Sequence, residues 1–171
     1  MQATESFGPR SIVQRIRRNH ALEHATIHVL AAASLPVSLV GRSDWSGFWL
    51  YGDIETTRVE QAAHEALRRL RAGERHLAVH PRCGTILATT GVLSGLAVFA
   101  TLGLAQPRGR LRWSSLPDAI LAATAAAILA HPLGMWIERT ITTTADVGEL
   151  EIARIYRQWA GAVTSHRVET R

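Results

Sequence analysis

Charged and apolar residues alternate through the first 83 positions of the chain, whereas 84 to 105 and 119 to 137 hold long uncharged runs. The contrast divides the chain into a mixed domain over 11–83, a pair of membrane-length helices over 84–137 and a tail over 138–171. Within the first part, Ser11 caps a predicted helix that runs to about Ala33. At about 100° per residue, Ile12, Ile16, Ile27 and Leu30 share one face of that helix, with Val13 and Ala31 at its edge. His20, Glu23 and His24 project into the same arc, and His28 lies at its margin. Polar groups on a buried face need partners, so these residues mark a site.

Ser34-Leu35-Pro36 ends the helix. Val37 to Gly41 and Phe48 to Ile54 read as two strands of a hairpin around a turn at Arg42 to Gly47. A second helix, Arg58 to Arg71, has Val59, Ala62, Ala63, Ala66, Leu67 and Leu70 at helical spacing, and Gly73 stops it. His76 to His80 reads as a third strand. The order helix, strand, strand, helix, strand indicates a small α+β layer with helices on one sheet face.

Gly84 to Ala105 has 22 residues without a charge, enough to cross about 30 Å of hydrocarbon as a helix. A polar loop with Arg108, Arg110 and Arg112 follows. Pro117 and Asp118 suit the start of the next helix, which reaches Ile137 and is interrupted only by His131 and Pro132. His131 lies near its end, at headgroup depth. Trp113 and Trp136 fit interfacial anchors. The tail is predicted as a short strand at Thr140 to Thr144 and an amphipathic helix from Asp146 to about Ala160, with Val147, Leu150, Ile155, Tyr156 and Trp159 on its apolar side.

Charge then sets orientation. All 19 basic residues are Arg and the net charge is +5. They are scattered beside the apolar runs, so they read as topology determinants and anionic-lipid contacts rather than as a nucleic-acid surface. Eight of them (Arg68, Arg69, Arg71, Arg75, Arg82, Arg139, Arg154 and Arg157) flank the outer ends of the two spans, against three in the loop. Both termini are therefore expected in the cytoplasm. No cleavable signal precedes the internal spans, so insertion is expected to use those spans. The expected partners are the lipid bilayer and either a second copy or another membrane protein.

The chemistry centres on His20, Glu23 and His24. Histidines at i and i+4 reach one ion from one helix face, and the pattern H-x-x-E-H resembles that of the inverzincin metallopeptidases, in which the adjacent Glu is the general base. The likeness covers five residues and lacks the family's downstream Glu ligand. A second cluster, His80-Pro81-Arg82-Cys83, offers a nitrogen and a sulfur donor across a turn, so that His20, His24, His80 and Cys83 make a tetrahedral set suited to zinc. Four protein ligands would close the site as a structural one. Three would leave a water for Glu23 to activate against a peptide or amide. The competing reading is a non-catalytic membrane subunit or assembly factor whose histidines form a hydrogen-bonded core. His64 and His76 read as surface residues, and neither a G-x-S-x-G nor a P-loop pattern is present. Taken together, NHALEHATIHVL, GRSDWSGFWLYG, LAVHPRCGT, the two spans and DVGELEI resemble an uncharacterised family of small bacterial membrane proteins, a domain of unknown function. The resemblance covers most of 18–152 and implies a bacterial membrane location without an activity.

Overall fold

A computed structural model describes residues 9–33, 39–105, 113–160 and 163–171. The chain forms two compact units, one from 1–80 with 139–171 and the other from 81–138. The first unit contains helices α1 (Pro9–Ala32) and α2 (Thr56–Arg71) and strands β1 (Val40–Asp44), β2 (Gly47–Tyr51), β3 (Ile152–Ala160) and β4 (Val163–Thr170). The second contains helices α3 (Gly84–Ala105) and α4 (Leu116–Ile137).

The four strands form one antiparallel sheet in the order β1-β2-β4-β3. Three expectations are overturned here. The tail is not an amphipathic helix but a β-hairpin, and its last strand is central to the sheet. His76 to His80 is not a strand, because Arg75–Ala78 winds into a 3₁₀ turn. The β-branched residues Ile152, Ile155, Val163, Thr164, Val168 and Thr170 favour strands. The helical spacing of apolar residues in the tail was a weaker signal than that enrichment. Thr140 to Thr144 is not a strand either: Glu138–Thr142 forms a wide helical turn. The break at Ser34-Leu35-Pro36 and the arginine-bearing loop lie outside the described residues.

Packing explains the arrangement. Phe48, Val168 and Ile155 align across three strands, and this row faces Ala21, Leu22 and Ala25 of α1 and the predicted apolar stripe of α2 in one core. The buried face of α1 differs from the expected one. Ile12 and Val13 are exposed, and the buried row runs through Asn19, Leu22, Glu23, Thr26 and Leu30. Three of those five are polar; Glu23, His24 and Leu30 of the expected face are buried and Ile27 packs on the core, so the buried surface overlaps the expected arc and extends beyond it to Asn19, Leu22 and Thr26. The β1–β2 turn is closed by Asp44, whose carboxylate accepts from the Ser46 N–H at 2.8 Å. Gly47 has φ +147°, and a Cβ there would collide with the Val168 carbonyl.

α3 and α4 run antiparallel. Ser94 donates to the Ala123 carbonyl at 3.2 Å, and Gly134 packs on Ile86 so closely that a Cβ would reach 3.0 Å from its Cα. Outwardly the pair is apolar, with Leu87, Phe99, Leu121, Ile128 and Leu129 exposed. Thr89, Thr90, Thr101 and Thr124 turn their hydroxyls back to carbonyls four residues earlier. Both helices are long and apolar enough to span a membrane.

His166 provides a test of the core. It is fully buried on β4, its Nε2 bonds to the Thr56 hydroxyl at 3.1 Å, and its Nδ1 has no partner among the described residues. Burial, helped by the Arg157 charge, holds its pKa below the usual histidine value. The unfolded chain therefore binds this proton more readily, and stability falls as pH drops below about 6.5 through the lowered folded value. Thermal midpoints compared between wild type and His166→Gln from pH 8 to 5 are expected to show a shallower decline in the variant; parallel curves would refute the assignment.

Candidate metal centre

One turn of α1 carries the site, and two loop segments of the same unit orient it. The ring centroids of His20 and His24 are 4.3 Å apart, and ligand nitrogens of the two approach within 4.8 Å. His24 is buried and His20 half-buried. His24 Nδ1 bonds to the Ala78 carbonyl at 3.0 Å and His20 Nδ1 to the Thr142 carbonyl at 3.0 Å. A carbonyl only accepts, so each Nδ1 carries the hydrogen and each neutral ring has its lone pair on Nε2. Backbone carbonyls that fix the tautomer in this way are the usual supports of metal-binding histidines.

Those carbonyls come from the two segments the sequence misreads. The 3₁₀ turn at Arg75–Ala78 aims the Ala78 oxygen at α1, which a strand would have spent in its ladder. Arg17, one turn before His20, donates to the carbonyls of Thr140 at 2.9 Å and Thr143 at 2.9 Å and so pins the segment containing Thr142. Neighbouring arginines repeat the device, since Arg15 bonds to the Trp45 and Thr170 carbonyls and Arg18 to that of Asp146.

His80 joins the row. Its ring centroid lies 5.9 Å from that of His24 and 5.0 Å from that of His28. His28 bonds through Nε2 to the Val79 carbonyl at 2.9 Å. His28, expected only at the margin of the face, continues the row, and the spacing of His20, His24 and His28, one every four residues, is the sequence signal for it. Cys83 lies in the second unit, buried, with the Thr85 N–H donating to its Sγ at 3.4 Å. His64 and His76 are exposed, as expected.

Glu23 is buried and turned toward the sheet. Its carboxylate accepts a short hydrogen bond from the Ser43 hydroxyl. Gly41 lies against it, and a Cβ there would collide with the carboxylate. Beside it, Asn19 donates to the Asp44 carbonyl at 2.8 Å and accepts from Thr170 at 2.7 Å. Asp44 in turn pairs with Arg167 at 2.8 Å. Burial pushes the Asp44 carboxyl up, but the hydrogen bonds from Arg167 and Ser46 outweigh it and hold the carboxyl below its usual range.

A mixed α/β unit with a histidine row on its first helix, and two membrane-length helices in the same chain, define the class. The chain belongs to the family described as domain of unknown function DUF6391, which matches residues 15–155. It is 37% identical over 144 residues to an uncharacterized protein of Picosynechococcus sp., an alignment covering 75% of this chain and 65% of that one. The chain thus spans less than two thirds of that relative's length. No solved structure matches it.

The Glu23 cradle is open to test. Gly41→Ala is expected to lower the unfolding free energy by about 1–3 kcal/mol, because a Cβ displaces the Glu23 carboxylate from its hydrogen bond to Ser43. Ser43→Ala removes one hydrogen bond to a charged group and is expected to cost about 2 kcal/mol. Unchanged denaturation midpoints in both variants would show that the carboxylate is not held there.

Proposed function

We propose that this chain is an integral membrane protein whose α/β unit binds a divalent metal ion, zinc by preference. His20 and His24 are its first two donors through Nε2, and some of His80, Cys83 and Glu23 complete the set. The single observation that carries the reading is the pair of Nδ1–H bonds to the Thr142 and Ala78 carbonyls, which orient two adjacent imidazoles with the lone pair of each on Nε2. A borderline-soft ion suits a nitrogen and sulfur donor set.

Glu23 is the general base in a hydrolytic version of this reading. What supports a binding role over hydrolysis is the engagement of its carboxylate by Ser43 and its packing on Gly41, since a base must reach the metal-bound water. The rival, a non-catalytic subunit with a hydrogen-bonded histidine core, is supported by the same carbonyl bonds, which satisfy one nitrogen of each ring without an ion. Metal analysis separates the two. Full-length protein purified in detergent without chelators is expected to hold about one zinc per chain, and the His20→Ala/His24→Ala variant none. Arg17→Ala, which releases the segment orienting His20, is expected to weaken zinc about tenfold. Wild-type protein without stoichiometric metal would refute the binding reading.

For the membrane, the proposal is two spans with the α/β unit on the cytoplasmic side of a bacterial cell membrane. A soluble core helix of this composition would be buried, yet only 6% of the most apolar stretch of α3 and 11% of that containing α4 is buried. The threonine hydroxyls bonded within their own helices leave little unpaired polarity for lipid to meet. Exposed Trp113 and Trp136 are separated by about 35 Å of helix, the distance between two interfaces. With an impermeant maleimide on intact cells, Gly109→Cys in the loop is expected to label. Trp45→Cys, at the exposed β1–β2 turn, is expected to label only after permeabilisation; the reverse pattern would invert the topology.

A further inference from the structure

The histidine row extends past the pair that anchors the proposed site. His28 lies one turn beyond His24 on α1, half-buried, with its Nε2–H given to the Val79 carbonyl at 2.9 Å. Its lone pair is therefore on Nδ1. Two imidazoles on one tetrahedral ion, with metal–nitrogen bonds of about 2 Å, hold their ring centroids about 5 Å apart. His28 and His80 are 5.0 Å apart. The neighbouring pairs bracket that spacing, with His20–His24 at 4.3 Å and His24–His80 at 5.9 Å. Within the row His24 is buried at 2% exposure, while His20, His28 and His80 are half-buried.

We propose that His28 and His80 form a second, outer position for a divalent metal ion, and that His80, in ring contact with both His28 and His24, hands the ion inward to the His20/His24 pair. The inference rests on the metal-binding reading of that inner pair. Transfer is a ligand exchange without redox change: the bond to His28 breaks as the bond from His24 forms, and water fills the remaining positions. The Val79 and Ala78 carbonyls, consecutive in the chain, hold His28 and His24 in opposite tautomers. One short backbone segment thus orients both ends of the handover.

The test uses full-length protein in detergent, stripped of metal and titrated with zinc ion alone against a chromophoric chelator, with stopped-flow mixing for rates. Wild type is expected to bind two equivalents, the second at least tenfold weaker, as a site with fewer protein ligands should be. His28→Gln keeps a donor for the Val79 carbonyl but removes the imidazole. It is expected to lose the weaker equivalent, retain the tighter one, and fill it about tenfold more slowly. The retained tight equivalent itself shows that the variant folds. His24→Gln is expected to do the converse, losing the tighter equivalent and keeping the weaker. A His28→Gln protein that keeps both equivalents, or a wild type with one equivalent filled at the same rate in this variant, overturns the outer position while the inner site stands. A wild type that binds no zinc overturns both.

Discussion

The first helix buries polar side chains, and the α/β unit is organised by the need to satisfy them. Asn19, Glu23, His24 and Thr26 are all buried on α1, where an unsatisfied polar group costs at least about 1–3 kcal/mol. Each has a partner. Asn19 reaches β1 and β4, Glu23 reaches Ser43 on β1, His24 reaches the 3₁₀ turn, and Thr26 bonds back to the Leu22 carbonyl. These bonds set where α1 lies on the sheet more narrowly than the apolar contacts of Leu22 and Leu30 do, because hydrogen bonds are directional and burial is not.

The same helix collects the unit's distant segments. Arg15, Arg17 and Arg18 bond to carbonyls of the β1–β2 turn and of the returning C-terminal segment, which brings Thr142 to His20 and β4 to Asn19. Residues from 139 onward therefore fold with residues before 80 although two apolar helices separate them in the chain. The candidate site inherits this dependence: one of its orienting carbonyls comes from each side of that interruption.

The family match over 15–155 covers α1 from its second turn, the β1–β2 hairpin, α2 and both apolar helices. The match stops within β3, so β4, the central strand that carries Arg167 and His166, falls beyond it. The histidine row lies within the matched span.

Several features were legible in the sequence because they depend only on local periodicity. The α2 stripe, a β-hairpin, the two apolar helices and the inward direction of Glu23 and His24 follow from spacing and composition, although β1 runs on to Asp44 where a turn was expected from Arg42. Tertiary structure decided the rest. The tail became strands because β4 fills the gap between β2 and β3, a pairing that no local pattern reports, and its polar residues are satisfied only there, as Arg167 is by Asp44. His76 to His80 has strand-like residues, yet it turns so that its carbonyls meet two histidines of α1. The sequence determined which side chains had to be satisfied. Only the fold could supply the partners, because most of them are backbone carbonyls, present at every residue and therefore invisible in residue identity.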